Sequence, residues 1–192
     1  ATDGVSLAAT VRTEAPTTLA AAELDEHGSA TYRFYLTDTS APALDHVPAA
    51  VHAADTLHIG TLGLVLEPMA STLVAHLEQL SPEVLVMTDP NCRSRVIHDR
   101  TGYLARLDAV YARSHVVKIS TDDAEYLAPD VDPVEVAHRI VAAGVHVVLL
   151  TAGKDATYVV TASDTTALPT PTVTVADTIG AGDSFCGGFL TW

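Results

Sequence analysis

The stretch Asp177-Thr178-Ile179-Gly180-Ala181-Gly182-Asp183-Ser184-Phe185 holds the strongest concentration of chemically useful residues in the chain. Gly180, Ala181 and Gly182 are small enough to let the backbone approach a ligand closely. The apolar run that follows, Cys186 to Leu190, predicts a helix opening at this loop. The first turn of a helix carries unpaired N–H groups and a partial positive charge, which suits an anion. Asp183 places a carboxylate at the same point, able to accept a proton from a hydroxyl attacking in line. An anion hole of Gly180, Ala181 and Gly182 beside the general base Asp183 is what phosphoryl transfer needs. The plainer alternative is a tight turn with Asp183 as a first-turn acid that stabilises the helix dipole.

Three other clusters carry related chemistry. In Asp89-Pro90-Asn91-Cys92-Arg93, the forked donors of Arg93 suit phosphate oxygens, while Asn91 could equally cap a following helix. In Lys118-Ile119-Ser120-Thr121-Asp122-Asp123, the spacing of Ser120 and Asp123 is also that of a capping box. Thr151-Ala152-Gly153-Lys154 offers a hydroxyl and a glycine for close backbone approach. The nine histidines are spread evenly with no i, i+4 pair, which argues against a zinc site.

These clusters need elements to hold them. Thr17–Leu24 and Ser29–Leu36 read as two strands joined by the turn Asp25-Glu26-His27-Gly28. In the second strand Tyr32, Phe34 and Leu36 alternate with Arg33, Tyr35 and Thr37. From Thr56 the rhythm becomes strand then helix. Strands are expected at Thr56–Gly60, Val84–Thr88, His115–Ile119, His146–Thr151, Thr157–Thr161 and Thr172–Val175. Helices are expected at Glu67–Leu80 and Val96–Arg113, with another opening at Asp132-Pro133-Val134-Glu135 and ending at Gly144. Such alternation means a three-layer α/β/α sandwich around a mostly parallel sheet, whose ligands bind beyond the carboxyl ends of the strands. Each cluster follows a predicted strand. The expected organisation is a small β-sheet at about residues 6–38 and an α/β core at about 54–192.

The string Asp177 to Asp183 matches the D-T-x-G-A-G-D signature at every fixed position. On this motif and the ordered clusters before it, the chain resembles the PfkB/ribokinase family of carbohydrate kinases over essentially its whole length. The resemblance implies a ribokinase-like fold, with the hairpin as a lid over a sugar and with ATP and Mg²⁺ as cofactors. It implies nucleotide contacts from Lys118, Ser120, Thr151, Gly153 and Thr178, and substrate contacts from Asn91, Arg93, Tyr35 and Gly60. A metal-linked role falls to Asp123. The departures are Ser120 in place of Asn, Asp123 in place of Glu, and Ala156 in place of Gly. Asp89-Pro90-Asn91-Cys92-Arg93 and Lys118-Ile119-Ser120 lean toward a fructokinase-like member. A 2-keto-3-deoxygluconate, ribose or adenosine kinase and a non-catalytic sugar-sensing homologue stay open. Ala1 begins inside a strand-like pattern and Trp192 ends inside a helical one, so a piece of a longer chain is expected.

Composition narrows the partners. Ten Lys and Arg stand against 24 Asp and Glu, a net charge of −14, which disfavours nucleic acid and anionic membranes. No apolar run approaches membrane-spanning length. Cys92 and Cys186 read as free thiols of a reducing cytoplasm. A homodimer pairing through the lid strands is an open expectation of the resemblance. A dinucleotide-binding oxidoreductase is excluded, because no Gly-x-Gly-x-x-Gly follows an early strand.

Overall fold

The computed structural model describes residues 4–7, 10–24 and 30–192. Strand β1 (Leu19–Leu24) pairs antiparallel with β2 (Ala30–Tyr35), setting Leu19 opposite Tyr35 and Leu24 opposite Ala30. The turn expected at Asp25-Glu26-His27-Gly28 lies outside the described residues. Successive side chains of a strand point to opposite faces. Tyr32 and Phe34 accordingly share one face, half-buried and stacked, while Arg33 and Tyr35 on the other are exposed.

The rest of the chain alternates strands and helices: β3 (Thr56–Gly60), α1 (Met69–Gln79), β4 (Leu85–Asp89), α2 (Arg100–Tyr111), β5 (Val116–Ser120), α3 (Thr121–Leu127), α4 (Pro133–Ala142), β6 (Val147–Thr151), β7 (Ala156–Val160), β8 (Thr165–Pro169) and α5 (Ala181–Thr191). One six-stranded sheet runs in the order β3-β4-β5-β6-β7-β8. Strands β3 to β6 are parallel, and β7 and β8 return antiparallel. Among the described residues, no helix is long and apolar enough to cross a membrane.

The two faces of the sheet are covered unequally. Val86, Val117, Ile119, Val148 and Leu150 turn one way, into a core shared with Leu77 of α1, Leu107 of α2, Ala124 of α3 and Ile140 of α4. Met87, Val116 and Leu149 turn the other way and meet Cys186 of α5. Each fully buried aliphatic side chain contributes about 1.5–3 kcal/mol, so the four-helix face carries most of the hydrophobic stabilisation.

The caps explain where several helices begin. Asp132 accepts hydrogen bonds from the N–H groups of Val134 and Glu135, Pro133 occupies the first turn, and Gly144 follows the end of α4 at φ +114°. Two expectations need correction. Helix α2 begins at Arg100, not Val96, because the Asp99 carboxylate caps it by accepting from Gly102 N–H at 2.9 Å. Val96 and Ile97 are buried from the preceding loop, and that burial imitates helical periodicity in the sequence. The strand expected at Thr172–Val175 is absent from the sheet, where Val173 and Val175 are exposed. The edge strand is β8 instead, turned back onto β7 by a bond from Thr161 N–H to the Asp164 carbonyl. Pro169 and Pro171 remove ladder donors, so the pairing ends there.

Candidate active site

A cavity of about 550 Å³ opens beyond the carboxyl ends of β5 and β6 and at the start of α5. Asn91 and Arg93, on the loop after β4, form part of its wall. Lys118 and Ser120 come from β5, Thr151 and Gly153 from the end of β6, and Thr178, Gly180, Gly182 and Asp183 from the loop entering α5. Ten of the residues named from sequence therefore meet around one space. Ala181, Tyr35, Gly60 and Asp123 are not part of its wall.

Gly180 has φ +74°, the left-handed region that favours glycine, and this lets the chain turn sharply into α5. No side chain caps the helix; the Ala181 N–H donates to the Thr178 carbonyl at 3.3 Å, and Gly182 and Asp183 of the first turn line the cavity. The Asp177 carboxylate braces the approach by accepting from Ile179 N–H at 2.9 Å, and Ser184 N–H donates to the Gly180 carbonyl at 2.8 Å. Asp183 stands in the first turn with an exposed side chain. The geometry presents donors for an anion beside a carboxylate.

Beneath this loop lies a buried ion pair. Lys118 Nζ donates to Asp89 Oδ2 at 3.0 Å, and both side chains are almost fully enclosed. Burial raises the Asp89 carboxyl from its ordinary value, and the neighbouring ammonium offsets part of that rise. Asp89 Oδ1 also accepts from Asn91 N–H, which fixes the loop after β4. A Cβ on Gly182 would lie 3.1 Å from Lys118 Nζ, so glycine allows the helix start to settle onto the pair. Gly60 has a different reason to be small. A Cβ there would lie 1.9 Å from the Asp89 carbonyl oxygen, so it permits the close approach of β3 to β4. Asn91 takes φ +41° and donates from Nδ2 to Thr61 Oγ1 at 3.1 Å, joining the loops after β3 and β4.

Asp123 is buried and fully engaged. Its Oδ2 accepts from the N–H and hydroxyl of Ser120, at 2.8 and 2.7 Å, and its Oδ1 accepts from Cys92 N–H at 2.6 Å. Ser120 Oγ also accepts from Asp123 N–H, completing a capping box at α3. The carboxylate ties the loop after β4 to the start of α3, an arrangement that does not fit direct metal coordination. Asp122, one residue earlier, lines the cavity and fits a hydrated hard cation. Ala156 begins β7 and is not among the positive-φ residues, so alanine fits there without strain. Burial pushes the Cys92 thiol up to about 12 and the Cys186 thiol up to about 11. Both cysteines are free.

Five wall residues, Tyr32, Thr121, Asp122, Ala152 and Lys154, were not among the site residues named from sequence. Tyr32 lines the wall where Tyr35 was expected, and Tyr35 lies on the opposite, exposed face of β2. The period-2 pattern placed the two on different faces but could not say which face meets the core. Lys154 joins the wall from the β6–β7 turn, and nothing in its type distinguished it from a solvated lysine.

A mostly parallel sheet with its ligand face at the strand ends, a glycine-opened helix and a two-stranded flap define a ribokinase-like architecture. The profile of the pfkB family carbohydrate kinases matches residues 1–192, and the chain belongs to that family. A fructokinase from Rhizobium leguminosarum bv. trifolii is 31% identical over 180 residues, covering 93% of this chain and 55% of the relative. An ATP-dependent 6-phosphofructokinase from Thermoanaerobacterium thermosaccharolyticum is 30% identical over 151 residues, covering 77% of this chain and 46% of the relative. Among solved structures, Xylella fastidiosa fructokinase with bound ATP superimposes with a TM-score of 0.80 at 25% identity, covering 94% of this chain and 57% of that one. Vibrio cholerae O395 fructokinase bound to fructose, ADP and calcium gives 0.76 at 25% identity, covering 93% and 59%. The chain thus spans a little over half the length of these fructokinases.

Proposed function

We propose that the full-length protein carrying this chain transfers the γ-phosphoryl group of ATP to a hydroxyl of a fructose-like sugar, with Asp183 as general base. The observation that carries this reading is the uncapped, glycine-opened start of α5, with Asp183 in its first turn, facing a wall that holds Asn91, Arg93 and Lys118. The names of its relatives, and the ATP-bound and fructose-bound neighbours, support the substrate class.

In this reading the N–H groups of the Gly180–Gly182 loop receive the charge that builds on the γ-phosphoryl oxygens. Arg93 and Asn91 meet the phosphates from the opposite wall. Ser120, Thr151, Gly153 and Thr178 hold the nucleotide side of the cavity. Asp183 takes the proton from the sugar hydroxyl as its oxygen bonds to phosphorus, the bridging P–O bond breaks and ADP leaves. A hydrated Mg²⁺, met from the protein side by Asp122, would supply charge neutralisation on the phosphates. Asp123 acts beneath it by holding Ser120 and Cys92 in place. Gly60 sets the spacing of β3 and β4 rather than touching the sugar.

The test is Asp183→Asn in the full-length protein. Asparagine keeps the size of the side chain but cannot accept the proton. Turnover should fall about 10²–10⁴-fold, while calorimetric ATP affinity and the circular dichroism spectrum stay close to wild type. Near wild-type turnover would remove Asp183 from the chemistry. An unfolded variant would return it to the role of a helix-stabilising acid.

A further inference from the structure

The hairpin and the core meet at an arginine on the cavity wall. The guanidinium carbon of Arg93 lies 5.2 Å from the centroid of the Tyr32 ring, over its face. Next to it, Arg95 Nη1 donates to the Tyr32 carbonyl oxygen at 3.4 Å, so the same residue of β2 is gripped by backbone and by ring. Tyr32 is itself braced by Phe34, whose ring stacks at 6.0 Å with the planes 23° apart. Tyr32 and Arg93 both line the cavity, together with Asp183 and Gly182.

An arginine side chain loses rotamer entropy when it is held in one position. An aromatic face under the guanidinium restricts it in advance, because the ring quadrupole attracts the cation. We propose that Tyr32 is a positioning residue for Arg93: docking the hairpin on the core sets the guanidinium toward the phosphoryl site. This rests on Arg93 meeting phosphate, as in the proposed function. The hairpin then contributes to the phosphate wall through this ring. When it is undocked, Arg93 loses its platform and the phosphate wall is incomplete, so phosphoryl transfer to water is disfavoured as well.

The experiment is a double-mutant cycle in the full-length kinase, read as turnover at saturating ATP and sugar. It uses Y32L, Y32F, R93A and Y32L/R93A. Leucine fills much of the space of tyrosine without a ring face, and phenylalanine keeps the ring. Y32L should lower kcat about 3- to 30-fold, the range of cation–π contacts between exposed and desolvated sites. Y32F should stay near wild type, and the double variant should be no slower than R93A alone. If R93A is strongly impaired while Y32L turns over at the wild-type rate, the positioning role is wrong. The same holds if the losses of Y32L and R93A multiply in full. Should R93A itself turn over normally, the phosphate assignment of Arg93 fails, and this inference with it, while Asp183 is judged by its own variant. A Y32L protein that does not fold would also count against the proposal, since a ring that only positions Arg93 is not needed for folding.

Discussion

The two faces of the six-stranded sheet divide the work between them, although the same strands build both. On β5, Val117 and Ile119 are buried under the four helices α1 to α4, while Lys118 between them points beneath the start of α5. On β4, Val86 belongs to the oily face, and Met87 and Asp89 to the other. One face is a continuous aliphatic core. The other is apolar only in its middle, at Met87, Val116 and Leu149, and becomes charged toward the carboxyl ends of its strands. With a period of two, stability and chemistry can occupy adjacent residues without competing for space. A substitution on each face should therefore produce a different kind of damage.

The largest effect should follow from Lys118→Met on the charged face. It leaves Asp89 buried without its cation, and breaking a buried pair typically costs about 3–5 kcal/mol. Denaturant unfolding should show this loss, and turnover should fall because the floor under Gly182 is disturbed. The double variant Asp89→Asn with Lys118→Met should recover most of the stability but not the turnover. Full recovery of both would make the pair a structural plug and weaken the contrast between the faces.

On the oily face, Leu150→Ala should cost about 2–5 kcal/mol through lost burial and the cavity left behind. Turnover per folded molecule should be unchanged, because Leu150 points away from the site. A turnover defect in a fully folded Leu150→Ala protein would show that the faces are mechanically coupled.

The smallest effect concerns acid. Burial lowers the pKa of His76 and His115 below the ordinary 6.5. The unfolded chain therefore binds more protons than the folded one as pH drops through about 6.5, and stability falls. Above that pH both states are neutral at these sites and the penalty vanishes. Unfolding free energy should decline from pH 7 to pH 5, and His76→Gln should make the decline shallower. An unchanged slope in that variant would mean that His76 is not kept neutral by its packing.

Much of this architecture could be read locally. The Asp132-Pro133 start of α4 and the Ser120 cap of α3 satisfy helix N–H groups within three residues, so spacing alone revealed them. The glycine-opened start of α5 was legible for the same reason, since its turn is made by consecutive residues. Helix α2 and strand β8 were harder to place. Each boundary depends on a distant competitor: Val96 and Ile97 finding burial without a helix, and β7 drawing Thr165–Pro169 into the sheet ahead of Thr172–Val175.

Asp177 to Asp183 spell the pfkB signature in consecutive residues, and the strand–helix alternation that builds the sheet is equally local. Contacts across the fold bring Tyr32 rather than Tyr35 to the cavity, engage Asp123 with Ser120 and Cys92, and pair Lys118 with Asp89. Periodicity says which residues share a face, and residue type says what a side chain can do. Which face meets which partner is set by contacts between segments far apart in the chain, where burial and pairing select one among several chemically adequate partners.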